Sequence, residues 1–364
     1  MNQSLQGRAA RAIAFYLPQF HPVPENDEWW GTGFTEWTNV ARAQRLFPGH
    51  YQPHVPADLG FYDLRVPETR MAQAEMAAKY GIEAFMYWHY WFAGRRILER
   101  PFDEVLKSGE PRFPFCLGWA NQTWTGIWHG AANRILIEQT YPGAGDYEKH
   151  FYHVLSAFTD ERYVKVEGKP FFYVLDPRWL PEAKRFTDQW RTLAVKAGLP
   201  GLYLVGQGPD TWNPLEHGFD ARVTAGLAPL WGWHPWTQPL RRLRGKVKQR
   251  LRLPTIYSYR NMHLKVVTPR QPGVPSHPCV LPNWDNTPRS GVNGLVFHGS
   301  SPALFRRQLR LALDMVGNDP PEKRIIIVKS WNEWAEGNHL EPDIRYGHGY
   351  LEALSQELQA IPFP

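Results

Sequence analysis

Eight short apolar runs, separated by segments with helical signals, constrain this chain more than any other feature. The runs fall at residues 12–17, 82–88, 113–119, 171–175, 202–205, 221–224, 279–281 and 325–329. Helical segments fall at 67–80, 97–108, 146–158, 181–197, 302–316 and 350–360. Pro67 suits a first helical position, and Gly81, Gly109 and Gly198 suit the places where helices stop. Strands alternating with helices in this number predict a (β/α)8 barrel. About 250 residues is typical of that fold, so 364 leave room for long loops after the strands. A doubly wound open sheet is the alternative. Against it, the first run leads into HPVPENDEWWGTG rather than a glycine-rich dinucleotide turn, and no GxxxxGK[ST] motif occurs. The expectation is one catalytic domain over 1–364, with an irregular basic insert at about 229–274.

Polar and aromatic residues gather where the runs end. Examples are Gln19 and His21, Trp88-His89-Tyr90, Trp119-Ala120-Asn121-Gln122, Asp176, Gln207, Asn283-Trp284-Asp285 and Trp331-Asn332-Glu333. In a barrel these positions converge on the C-terminal mouth, where active sites of this fold sit.

The last run is the most informative. Ile325 to Val328 does not alternate, so it reads as a strand buried on both faces. It ends in SWNEWAEG, which places Glu333 and Glu336 three residues apart beside Trp331 and Trp334. Carboxyls beside indole rings lose hydration, which raises the pKa of at least one of them. A neutral acid next to an ionised one suits general acid/base chemistry near neutral pH. The plainer reading is two loop glutamates among packing tryptophans.

Composition narrows the substrate. The chain carries 17 Trp, 16 Tyr and 19 Phe, many beside Asn, Gln, His and Asp. Aromatic platforms with polar neighbours suit sugar rings, although nucleic-acid bases also stack on them. The net charge of +6 would favour nucleic acid, but its location argues otherwise. From Ala221 to Trp284 there are eleven Lys and Arg and no acidic residue, so the rest of the chain is net acidic. From Arg241 to Arg252 (RRLRGKVKQRLR), seven of twelve residues are basic. That stretch is either a solvated helical face or a peripheral contact for an anionic membrane surface. Nucleic acid is not expected as a partner.

The two cysteines, Cys116 and Cys279, lie in apolar runs and read as buried thiols. No CxxC or HxxxH spacing is near them, so neither a metal nor a cofactor is expected. The N-terminal apolar run is short and ends at Pro18; it reads as a strand rather than a signal peptide, which points to the cytoplasm.

Several motifs resemble a known family. AFYLPQFHPVPENDEWWGTGFTEWTNV opens the chain, followed by YWFAGRRILERPFDEVLKSGEPRFPFCLGWAN, VEGKPFFYV, PCVLPNWDNTPRSG and SWNEWAEGNHLEPD. Together they resemble the WbsX-type polysaccharide-biosynthesis proteins, relatives of glycoside hydrolase family 99, over nearly the whole chain. The resemblance implies a (β/α)8 barrel acting on glycans. It implies that Glu333 assists attack at the anomeric carbon, by deprotonating the sugar's own 2-hydroxyl, and that Glu336 is the acid/base. This differs from the usual carboxylate nucleophile of retaining glycosidases. The chain departs from the family at Gln122, where a glutamate is common, and at Gly126-Ile127, which replace a basic pair.

The catalytic candidates are therefore Glu333 and Glu336. The substrate-binding candidates are Trp88, His89, Tyr90, Trp119, Asn121, Gln122, Trp124, Asp285, Asn332 and Trp334. Among these, Asn332 either meets a sugar hydroxyl or caps its loop, and Trp331 and Trp334 read mainly as packing. Asp285 suits vicinal hydroxyls, with Arg289 as its alternative partner, and Glu36 belongs to the floor of the first loop. The leading expectation is a family 99-like retaining glycosidase acting on a surface polysaccharide or a lipid-linked oligosaccharide. A glycosyltransferase of O-antigen assembly is the runner-up, although no Asp-x-Asp element occurs. A glycan-binding module without catalysis is the third reading.

Overall fold

The computed structural model describes residues 9–126, 131–224 and 252–359. Eight parallel strands form a closed barrel: β1 Arg11–Tyr16, β2 Ile82–His89, β3 Phe115–Trp119, β4 Lys169–Val174, β5 Tyr203–Gln207, β6 Ala221–Thr224, β7 Ser276–Val280 and β8 Ile325–Val328. Neighbours in sequence are neighbours in space. β8 pairs with β1 through Ile13↔Ile327, and β3 pairs with β4 through Leu117↔Phe172, which closes the ring. The predicted (β/α)8 architecture is the one observed.

Helices Pro67–Lys79, Arg100–Ser108, Ala144–Thr159, Ala183–Lys196, Pro302–Val316 and Gly349–Gln359 form the outer layer. Their starts follow local chemistry. Pro67 and Pro302 occupy first helical turns, and the Ser301 side chain accepts from the Leu304 N–H. The connection from β5 to β6 is abbreviated to one 3-10 turn, Pro214–His217.

The strand pleat sorts the side chains. Phe15, Met86, Trp88 and Tyr173 fill the barrel interior. Phe15 stacks on Trp88 at 4.4 Å, and a Cβ at Gly118 would meet Met86 and Tyr173. The alternate residues Tyr16, Phe85, Tyr87, His89 and Trp119 face the helices. All four residues of β8 are completely buried, as its unalternating sequence predicts.

β7 differs from the sequence reading. It begins at Ser276, not at residue 279, and all five of its residues are buried. The polar pair Ser276 and His277 conceals its first half in the sequence. The Tyr203 hydroxyl on β5 lies 3.1 Å from Nε2 of the His277 ring. Most of the basic stretch, residues 241–251, lies outside the described residues. The described part of the expected insert contributes a strand, Thr255–Ser258, which pairs in parallel with Leu295–His298. Among the described residues, no helix is long and apolar enough to cross a membrane.

Candidate active site

The turn after β8 carries the two glutamates. Asn332–Glu333 pairs antiparallel with Asn338–His339, and the 3-10 turn Trp334–Glu336 fills the space between. Gly337 closes it with φ 57°, the left-handed region in which a side chain is strained. A Cβ there would also lie 3.1 Å from the Asp285 Cβ, so the position favours glycine twice over.

The turn is fixed from below. Trp331 N–H donates to the Phe15 carbonyl at 2.7 Å, and Leu340 N–H donates back to the Trp331 carbonyl at 2.8 Å. The Trp334 indole stacks on His339 at 3.7 Å and donates from Nε1 to Glu341 at 2.6 Å. Glu341 also accepts from Gln73 and Tyr62, and burial pushes its carboxyl up to about 7.

Above this floor is a cavity of about 410 Å³ at the mouth of the barrel. Glu333, Glu336, Glu36, Arg289 and Lys329 line it together with Trp88, Tyr90, Trp30, Phe34 and Trp124. Aromatic rings and a cluster of charges in one cavity suit a ligand with apolar faces and a hydroxylated rim.

Arg289 joins the acids. It stands on the short helix Thr287–Ser290, after β7. Its Nη1 meets Glu336 Oε1 at 2.7 Å and Glu333 Oε1 at 3.4 Å. Its Nε and Nη2 meet Glu36 Oε2 at 3.2 and 3.0 Å. One buried cation thus answers three carboxyl groups, which leaves an excess of acid. Burial is the main reason that the Glu336 carboxyl is pushed up to about 8, and the Glu333 charge adds to it. Arg289 and Lys329 oppose this rise without cancelling it. Burial raises Glu36 as well, against the pull of Arg289. The surroundings of Glu336 thus favour its protonated form, the form a general acid needs.

The structure divides the predicted binding residues. Trp88, Tyr90, Gln122 and Trp124 line the cavity with the two glutamates. The others do not. His89 and Trp119 are paired neighbours on β2 and β3 whose side chains the pleat turns outward. His89 bonds His150 at 2.9 Å, and Trp119 donates to the Trp91 carbonyl. Asn121 clamps two strand ends, binding both the N–H and the carbonyl of Asp176. Asn332 does the same for the N–H and carbonyl of Leu17, so it is a structural fastener. Trp334 lies beneath the turn. Asp285 faces a second, smaller cavity and is held by His50, Gln52 and Thr287. It does not pair with Arg289, which turns to the glutamates instead.

Sequence reasoning underrated Arg289 and Glu36. Both lie in the quoted motifs, but only the fold brings the first and seventh loops together over the eighth. It missed Lys329, the last residue of the apolar run, because a lone lysine after a strand carries no signal. Of the two departures at 126–127, Gly126 sits in the short strand Trp124–Gly126, and Ile127 lies outside the described residues. Among the described residues, one group could hold a metal ion: His54, His339 and Asp343. Its two imidazoles are 2.8 Å apart, a hydrogen-bond distance, so they already satisfy each other.

Comparison with known proteins places this geometry. The family model described as Glycosyltransferase WbsX matches residues 12–354. Two curated proteins called WxcX and described as uncharacterized, from two strains of Xanthomonas campestris pv. campestris, are each 38% identical over 359 residues. The match takes in 97% of this chain and 50% of theirs, so the chain spans about half the length of the curated relatives it matches. Among solved structures, a glycoside hydrolase-like protein superposes with a TM-score of 0.61 at 17% identity, covering 96% of this chain and 94% of the other. The GH99 endo-alpha-mannosidase from Bacteroides thetaiotaomicron superposes with 0.54 at 12% identity, covering 96% of each chain. At such identities the likeness is one of fold.

Proposed function

The chain belongs to the WbsX glycosyltransferase family, and on that premise we propose that it is a glycan-processing enzyme that cleaves a glycosidic bond with retention, using Glu333 and Glu336. The observation that carries the reading is the meeting of these two carboxyls on one nitrogen of Arg289 at the edge of an aromatic cavity. Bonded to that nitrogen at 2.7 and 3.4 Å, the two oxygens lie closer than the roughly 6.5–9.5 Å of an inverting pair. That leaves less room for an inverting enzyme's water between them, and retention is what the resemblance to family 99 implies.

In this reading Glu336 gives its proton to the leaving glycosidic oxygen as that oxygen parts from the anomeric carbon. Glu333 takes the proton of the sugar's 2-hydroxyl, whose oxygen closes on the same carbon. Glu336, now a carboxylate, then takes a proton from water, and the water oxygen opens the strained ring. Glu333 returns its proton to the 2-oxygen. Both protons and the overall charge balance, and the anomeric configuration is kept. Trp88 and Tyr90 supply apolar faces for the sugar. Gln122, in place of the carboxylate common in the family, offers both a donor and an acceptor to a neighbouring hydroxyl.

The substrate proposed is a surface polysaccharide or a lipid-linked oligosaccharide. A screen of such glycans, read by mass spectrometry with the Glu336→Gln protein as control, tests the reading. Products from the wild type alone support it; no product from any glycan counts against it.

The family description itself favours a second reading, transfer of a sugar to an acceptor hydroxyl. The same pair serves it if an acceptor replaces water in the second step. Calorimetry with nucleotide sugars separates the two, since only a transferase with an activated donor gives a saturating isotherm.

A further inference from the structure

We propose that Glu36, acting through Arg289, is a positioning residue that sets how tightly Glu336 holds its proton. The inference rests on the reading of Glu336 as the acid, and it assigns a role to a third carboxyl outside the catalytic pair.

Glu36 opens the helix Glu36–Arg42 in the long loop after β1 and is almost completely buried. It grips the rear of the Arg289 guanidinium through Nε and Nη2 at 3.2 and 3.0 Å. That grip leaves Nη1 as the nitrogen aimed at Glu333 and Glu336. A guanidinium is a planar fork, so a partner on its rear edge fixes the direction of the front one. The charge of Arg289 is thereby divided between Glu36 behind it and the Glu333 and Glu336 pair in front. The more of it Glu36 holds, the less remains to stabilise Glu336 as a carboxylate.

The groups facing Glu336 come from several elements. Glu333 shares its turn, Arg289 comes from the loop after β7, and Glu36 from the loop after β1. Lys329 follows β8, and the Tyr90 phenol follows β2. Arg289 forms ion pairs with both Glu36 and Glu336. Burial and the neighbouring acids favour the neutral form of Glu336, and the two cations favour the charged form. Removing Glu36 or removing Arg289 should then shift the Glu336 proton in opposite directions. The Glu36 charge also reaches Glu336 directly, so the relay through Arg289 is read from whether the Glu36→Gln shift shrinks when it is made in the Arg289→Met protein.

The test is titration of the Glu336 carboxyl carbon by NMR in protein labelled with 13C at glutamate Cδ. The signal is assigned by its loss in Glu336→Gln. In Glu36→Gln, which preserves the side-chain shape, the midpoint should fall by about one pH unit. In Arg289→Met it should rise by about as much. Arg289→Lys, which keeps the charge but loses the fork, replaces it if the methionine variant does not fold by circular dichroism. An unchanged midpoint in Glu36→Gln, or shifts of the same sign in both variants, overturns the proposal. The carbon signal needs no substrate. A protein that cleaves no glycan would therefore sink the glycosidase reading and leave this test standing.

Discussion

The main-chain N–H of Asp285 donates to the carbonyl of Glu336 at 2.6 Å. The loop after β7 thus holds the proposed acid twice, by its backbone at Asp285 and by its guanidinium at Arg289. Asp285 is itself fixed by the His50 ring at 2.6 Å, by Gln52 at 2.8 Å and by the Thr287 hydroxyl at 2.6 Å. Burial alone would raise its carboxyl, but these hydrogen bonds hold it below the usual carboxylate range.

Asp285→Ala should therefore act on both stability and turnover. It strands several buried donors, at a cost of about 2–4 kcal/mol. Urea unfolding should show that loss. At a temperature where the variant remains folded, kcat should fall more than KM rises, because the cavity wall is intact while the acid is less well held.

The raised carboxyl of Glu336 makes stability depend on pH. Its folded pKa of about 8 lies above the roughly 4.3 of an unfolded chain. Between those values the folded protein keeps a proton that the unfolded chain has lost, so this group costs more stability as pH rises towards 8. Glu336→Gln removes the cost. It should unfold later than the wild type at pH 8, with the gap narrowing towards pH 5. Thermal melting across that range checks the sign. A variant equally or less stable at pH 8 would contradict it.

Two tryptophans one strand apart should behave differently. Trp88 lines the cavity, and Trp119 lies under the helices beside Phe186 and His150. Trp119→Ala should cost about 3–5 kcal/mol of stability. Trp88→Ala should raise KM as well as cost stability, because its ring both lines the cavity and stacks on Phe15. Paired melting and kinetics on the two variants separate these roles.

These contrasts mark what was legible in the sequence. The strands announced themselves because unalternating apolar runs bounded by turn residues leave little choice, as in Ile325–Val328. That Glu333 and Glu336 stand together at the end of the last strand was legible because their motif is short and local. Which strand-end residues face inward was not legible. His89, Trp119 and Asn121 sit at the right end of the barrel, yet the pleat and the last turn of chain aim them elsewhere. A one-residue difference decides between Trp88 in the cavity and His89 outside it. The Arg289 cluster was out of reach for another reason. It joins three loops that are distant in sequence, and only closure of the ring brings them together.

The most direct measurement is turnover of one cleavable glycan by the wild type and by Glu336→Gln, with NMR of the released sugar to read its anomeric configuration. The account predicts product of retained configuration from the wild type. It also predicts that the variant still binds the glycan but cleaves it about 10²–10⁴-fold more slowly. Cleavage by Glu336→Gln at the wild-type rate, or a first-formed product of inverted configuration, would contradict it.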